Sequence, residues 1–146
     1  MSGEGKVTEN IQEKIRNLAV ELRMLESVAG EMQARISVVE AALREISMAS
    51  LTIQGVGELK KDDEILVPVG GGSYIKAKIF DTEKVIVNIG AGVTVEKPVK
   101  EALSIFENRL NELENARNSL QQQFIQVLER MEALRNELRK VSSGRT

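Results

Sequence analysis

The sequence predicts an α+β chain in which two long helices pair as an antiparallel coiled coil, with two β-hairpins between them. Three observations carry this. An unbroken three-four hydrophobic repeat runs through Ile11, Ile15, Leu18, Leu22, Leu25, Ala29, Met32, Ile36, Val39, Leu43 and Ile46. A second runs through Leu103, Phe106, Leu110, Leu113, Arg117, Leu120, Phe124, Val127, Met131, Leu134, Leu138 and Val141. A β-rich, glycine-punctuated segment separates them. Alternating steps of three and four keep apolar side chains on a seam recurring every ~3.5 residues, and such a seam needs a partner helix rather than a globular core.

The first helix is expected over residues 8–54. Thr8 is placed to act as N-cap, Glu9 lies near the positive end of the helix dipole, and Gly55 suits a left-handed C-cap. Residues 56–63 read as a loop. Four strand-like runs follow within 64–96. Glu64–Val69 is apolar and β-branched. Ser73–Phe80 alternates, with Ile75, Ala77 and Ile79 on one face and Lys76 and Lys78 on the other. Lys84–Ile89 and Val93–Glu96 form the second pair. Gly70-Gly71-Gly72 and Gly90-Ala91-Gly92 separate the members of each pair, so two consecutive hairpins are the economical arrangement. Pro68 has no N–H to give to a ladder, which places its strand at an edge or beside a bulge.

The second helix is expected over residues 98–141, with Pro98 in its first turn, where a missing N–H costs nothing. Folded back, the helices take a register with Ile46 opposite Leu103, Leu43 opposite Phe106, Met32 opposite Arg117, Ala29 opposite Leu120 and Ile11 opposite Leu138. Arg117 is the one polar seam residue. Its stem is expected to lie over small Ala29 with the guanidinium snorkelling outward, the alternative being a residue that sets the register.

The end of the coil away from the strands holds Ile11, Ile15, Leu18, Leu134, Leu138 and Val141. Val20, Met24, Ile125 and Leu128 lie off the seam, where a coiled coil normally carries charge. They read either as scattered surface hydrophobes or as a contact surface for apolar segments of another protein. Four short strands are too few for a sheet covered on both faces. Leu66, Val69, Val85 and Ile86 offer apolar groups on both, so the β segment is expected to complete its burial against other subunits.

Composition closes off several functions. The chain has no Cys and no His, which removes disulfides, thiolate chemistry, Cys/His zinc sites and every His-based dyad. A net charge of −2 argues against general nucleic-acid or anionic-membrane binding, and three Phe, one Tyr and no Trp leave few rings for stacking bases. No apolar run approaches the ~20 residues of a membrane span, and residues 1–6 carry no secretory signal, so a cytoplasmic location is the default expectation. The glycine clusters lead into strand-like sequence without the lysine of a Walker loop, which makes them hairpin turns rather than a phosphate cradle. Asp62, Asp63 and Glu64 match no calcium-loop spacing and read as solvated loop. No constellation singles out a catalytic residue, so no enzyme, cofactor or metal is expected.

Two segments give the layout a resemblance. Ile65 to Ile79, containing Val67-Pro-Val-Gly-Gly-Gly-Ser-Tyr74, and Val85 to Glu96, containing Ile89-Gly-Ala-Gly-Val-Thr-Val95, are similar to the V-P-[VI]-G-x-G-[SA]-[YF] and V-G-x-G-[VY]-x-[VI] patterns of the alpha class of prefoldin, also called GimC. The archaeal type is the most similar, and the resemblance extends over about residues 8–141. It implies a single prefoldin-like unit over residues 1–146. Two alpha and four beta-class subunits would join their hairpins in a double β-barrel platform, from which coiled-coil arms extend. Arm ends would hold unfolded client proteins without ATP and deliver them to a group II chaperonin. Mapped onto this chain, the platform would use Ile65, Val67, Val69, Ile75, Ile79, Val85, Val87, Ile89, Val93 and Val95. Client contact would fall on Ile11, Ile15, Leu18, Val20, Met24, Ile125, Leu128, Leu134, Leu138 and Val141. The competing expectation is a prefoldin-like scaffold or filament built through the β edges.

Overall fold

The computed structural model describes residues 2–144. Its elements run in the order α1 (Ser2–Gly57), β1 (Glu64–Gly70), β2 (Ser73–Lys78), β3 (Lys84–Gly90), β4 (Val93–Pro98) and α2 (Val99–Ser142). Two compact units are distinguished. One combines the residues up to Glu40 with those from Asn115 onward, and the other comprises Ala41–Glu114. Two long helices with two small antiparallel hairpins between them are the predicted α+β fold.

Both helices bury the expected seam. In the first unit Leu18, Ala29, Met131, Leu134 and Val141 are buried, and the other seam residues are half-buried. In the second unit Leu43, Val87 and Ala102 are buried. Apart from Ala102, burial follows the three-four spacing along both helices, because side chains on that stripe stay aimed at a neighbouring helix.

The helix ends differ from expectation. Thr8 is not a cap: α1 already runs from Ser2, and the Thr8 hydroxyl donates back to the Glu4 carbonyl at 3.0 Å. Gly55 is not a terminus either. α1 continues to Gly57 and closes with short bonds from Glu58 N to Gly55 O (3.2 Å) and Leu59 N to Val56 O (3.1 Å). The cause is tertiary. A Cβ built on Gly57 would lie 3.5 Å from Val99 Cγ1, so the last turn of α1 abuts the first residue of α2. Packing there extends the helix past a glycine that local propensity would have used as a stop. Pro98 ends β4 instead of opening α2, and the first helical amide, Val99 N, donates to Glu83 O at 3.0 Å.

The register also differs, by one heptad. In the second unit Gly57 meets Val99, which makes Ile53 the partner of Leu103 in place of Ile46. In the first unit Leu120 lines one groove with Ala34, Arg35, Val38 and Val39, so it faces Ile36 rather than Ala29. Glu26 pairs with Arg135 at 3.9 Å. In the expected register those two would stand ~18 Å apart along the axis, beyond side-chain reach; in the shifted one the offset is ~7.5 Å. The same frame places Leu22 opposite Leu134, Ile15 opposite Val141 and Val39 opposite Arg117. Lys14–Glu137 (3.4 Å) and Glu21–Arg130 (3.0 Å) recur along one flank with antiparallel spacing. These pairs are about half exposed, so each adds little stability and mainly reports phase. The expected register took Ile46 and Leu103 as the innermost layer. The extra turns of α1, through Ser50, Ile53 and Gly57, add another heptad.

The shift moves the coil's outer end. Ser142, the last residue of α2, is level with Lys14; half-buried Ile11 is the outermost seam residue, and residues 3–10 are exposed. Val141 therefore does not lose its helical partner, as expected from the sequence; it packs at the level of Ile15 and is buried. Arg117 does not lie over Ala29. It faces Val39, and its Nε is buried without a hydrogen-bond partner. A desolvated donor with no acceptor costs stability in any seam. Replacing Arg117 by Leu is expected to stabilise the chain by about 1–3 kcal/mol. Urea denaturation followed by circular dichroism checks this; a lower midpoint for the Leu variant would mean the guanidinium contributes a favourable contact.

Candidate assembly and client-binding surfaces

The hairpins are two copies of one design. β1 pairs antiparallel with β2 through Glu64↔Lys78, Ile65↔Ala77, Leu66↔Lys76, Val67↔Ile75, Pro68↔Tyr74 and Gly70↔Ser73. β3 pairs with β4 through Lys84↔Pro98, Val85↔Lys97, Ile86↔Glu96, Val87↔Val95, Asn88↔Thr94 and Gly90↔Val93. Each ladder slips at one residue, Val69 and Ile89, just before its turn. Pro68 thus has both features its chemistry asks for, an edge strand and an adjacent bulge. The turns place two successive residues at positive φ, Gly71 (59°) with Gly72 (74°) and Ala91 (50°) with Gly92 (75°). That is the two-residue turn whose twist matches a hairpin. Ala91 is the exception in chemistry, since its Cβ opposes this conformation.

Local polar contacts hold the hairpins in place. Ile79 continues past β2 by exchanging bonds with the loop before β1: its N–H donates to Asp63 O at 3.0 Å and its carbonyl accepts from Asp62 N at 2.8 Å. Phe80, which the sequence suggested as strand, lies outside the ladder, 82 % exposed, with the Lys61 ammonium 5.5 Å from its ring centroid. Asp63 Oδ2 accepts from Lys60 N, which occupies that carboxylate in a turn. No acidic cluster able to hold a metal ion occurs among the described residues. Asp81 Oδ1 accepts from Glu83 N at 2.8 Å and Lys84 N at 3.1 Å, and these two amides hold its carboxyl below the ordinary range. The Arg109 guanidinium donates to Asn88 O, tying β3 to α2.

What the hairpins leave open matters most. The two sheets have two strands each, β1-β2 and β3-β4, so every strand has one edge without a ladder partner in the chain. Of the expected platform residues, Val87 is buried and Ile65, Val67, Ile79, Val85 and Val95 are half-buried. Val69, Ile75, Ile89 and Val93 are 50–58 % exposed. Leu66 and Ile86, whose apolar groups the sequence had pointed to, and Tyr74, which it had not, are 61–72 % exposed and belong with them. Their alternation with Val67, Ile75 and Val87 was the available signal. Unpaired edges flanked by this much exposed apolar surface are what an isolated soluble sheet avoids.

In the coiled-coil unit the expected client residues divide in two. Leu18, Leu134 and Val141 are buried between the helices, and Ile11, Ile15 and Leu138 are half-buried there. Val20, Met24, Ile125 and Leu128 are exposed. Val7 and Val38 are exposed as well and were missed, because neither falls in the stretch singled out by the seam's end.

Paired helices joined through open-edged hairpins define a class: chains that complete their sheets by association with other subunits. The comparisons with known proteins say which. The pattern of the family described as "Prefoldin subunit" matches residues 25–144. Prefoldin subunit alpha of Methanopyrus kandleri is 39% identical over 119 residues, covering 82% of this chain and 76% of that one. Prefoldin subunit alpha of Methanosarcina mazei is 29% identical over 137 residues, covering 92% and 96%. The solved cryo-EM structure of filamentous PFD from Methanocaldococcus jannaschii aligns with a TM-score of 0.51 at 25% identity, covering 86% of this chain and 98% of that one. The chain belongs to the prefoldin family and resembles its alpha subunits, the subunits of hetero-oligomeric chaperones. Among the described residues no helix is long and apolar enough to cross a membrane.

Two measurements check the hairpin chemistry. Ala91→Gly removes a Cβ from a left-handed position and is expected to stabilise the β3-β4 hairpin by roughly 1 kcal/mol, read as slower amide exchange in that ladder. The Asp81 carboxyl should titrate below an unfolded reference by NMR. Its folded-state value is depressed, so its contribution is complete above the unfolded value and is lost as pH falls through the lowered one. Amide shifts of Glu83 and Lys84 should move with the same transition.

Proposed function

We propose that this chain is the alpha-type subunit of an ATP-independent holdase, acting in the cytoplasm as a single unit over residues 1–146. Two copies would combine with four beta-class subunits through the hairpins. Unfolded polypeptide would be held at the outer ends of the coiled coils and passed to a group II chaperonin. The observation that carries this reading is the pair of open-edged hairpins with exposed Leu66, Val69, Tyr74, Ile75, Ile86, Ile89 and Val93, in a chain of the prefoldin family. Such surface calls for partner strands. Nothing in the sequence has the pattern of a nucleotide loop, which is consistent with holding a client by avidity: several weak apolar contacts, one set per subunit, acting together. Unfolded clients would be preferred because only they offer apolar segments to bury.

The client surface would be drawn from the exposed set, Val20, Met24, Ile125 and Leu128, from exposed Val7 in the outermost turns of α1, and from half-buried Ile11 at the end of the pair. Leu18, Leu134 and Val141 would contribute only where the helices part. Ile15 and Leu138 would become available at the frayed end of the pair.

A second reading has one specific support. The solved relative is filamentous, and open edges on both hairpins would also let this chain polymerise alone.

Sedimentation of the pure chain, and of the chain mixed with an archaeal beta-class subunit, separates the two. A discrete larger complex only in the mixture supports the holdase subunit. Concentration-dependent growth of the chain alone supports the filament, and no association in either sample sinks both. Removing residues 1–10 spares every seam residue. In the mixed complex it should leave the melting temperature unchanged while weakening suppression of aggregation of a denatured client; unchanged suppression would exclude the outermost turns as client contacts.

A further inference from the structure

The two hairpins differ in charge at one equivalent place. Residues directly opposite in a ladder share a face. Leu66 stands opposite Lys76 in β1-β2, and Ile86 stands opposite Glu96 at the same step of β3-β4. All four are exposed, Leu66 by 61 % and Ile86 by 72 %. Val67 and Val87, the next residues along, turn to the other face, where Val67 is half-buried and Val87 buried. A strand added at an open edge extends the sheet in its own plane, so edge pairing leaves Leu66 and Ile86 bare. Lys76 and Glu96 make no ion pair among the described residues.

The charges decide what can cover these faces. Two hairpins laid face to face with strand directions opposed put the aliphatic residue of one on that of the other. If both are β1-β2, Lys76 then meets Lys76; if both are β3-β4, Glu96 meets Glu96. β1-β2 on β3-β4 instead brings Leu66 onto Ile86 and Lys76 onto Glu96. The flanking rows add no conflict. Pro68 and Tyr74 meet Lys84 and Pro98, while Glu64 and Lys78 meet Asn88 and Thr94. Facing sheets lie roughly 10 Å apart, a gap that aliphatic side chains fill and a lysine–glutamate pair spans. Like charges pressed together disfavour both homotypic stacks.

We propose that the Leu66–Lys76 face of one copy of this chain docks on the Ile86–Glu96 face of a second copy. The contact joins unlike surfaces, so two copies can exchange it as a closed pair or successive copies can extend it head to tail. It deepens the self-association reading given above by naming the side chains that would carry it. It does not use the strand edges, and it can fail while the holdase reading stands.

The test is sedimentation velocity of the full chain over a range of concentration and salt, for the parent, Lys76→Glu, Glu96→Lys and the double reversal. The parent should self-associate, less so as salt screens the pair. Each single reversal should weaken association by roughly tenfold or more, because it sets like charges against each other. The double reversal should restore it, and so should an equal mixture of the two single variants, whose faces are complementary to one another. Both positions are exposed, and circular dichroism confirms that each variant stays folded. A parent that remains monomeric, association insensitive to salt, or a double reversal that stays weak overturns the proposal. A single reversal that associates like the parent does so too, leaving edge pairing to account for the growth. Loss of the complex with an archaeal beta-class subunit in either single variant also overturns it, assigning the face to that subunit.

Discussion

Everything in this chain depends on the continuous burial of one stripe on each helix. Among the described residues the buried side chains of the coiled-coil unit are Leu18, Ala29, Met131, Leu134 and Val141, all on the seam. Exposed ion pairs such as Lys14–Glu137 add little energy. Stability therefore rests on a repeated apolar layer, and the layer's phase decides what each remaining residue faces. Because the seam repeats, a slip by one heptad preserves every apolar-on-apolar contact in kind and changes only the partners. Register must then be chosen by something outside the repeat. In the second unit the approach of Gly57 to Val99 marks which register is taken.

The hairpins follow a different logic. Their shape is local, set by positive-φ turns at Gly71-Gly72 and Ala91-Gly92 and by bulges at Val69 and Ile89. Each is a complete ladder of two strands and nothing more. Local chemistry thus makes well-formed pieces with open edges, and the exposed faces around Leu66, Tyr74 and Ile86 leave the burial unfinished. An association subunit differs in this way from an autonomous β domain. Its strands are specified by its own sequence, but their stability needs neighbours.

Much of the fold was legible in the sequence because its signals are periodic or steric. The two seams, the two hairpins and the edge position of Pro68 follow from spacing and from backbone chemistry. Platform residues were legible in part: apolar groups on both faces were visible at Leu66, Val69, Val85 and Ile86, but not that Val87 is buried while Leu66, Val69 and Ile86 stay exposed. The client-contact set was the least legible. Leu134 and Val141 looked like loose ends because the seam stops at Val141, and the structure buries both. Nothing in the repeat said that α1 would outrun α2 at that end. Arg117 was visible as an anomaly, but its neighbour depended on the register and so came out as Met32, with the stem over Ala29, instead of Val39.

The sequence by itself determined the seams, the hairpin turns and, by having no Cys and no His, which ligand and nucleophile types are missing. These are short-range properties, fixed by side-chain period and by which residues tolerate positive φ. Only the tertiary structure decided where α1 ends, which layers face each other and which apolar residues remain in solvent. Gly55 is a helix stop by local propensity. The structure carries α1 on to Gly57, beside Val99, because tertiary context can override a local preference worth roughly 1 kcal/mol.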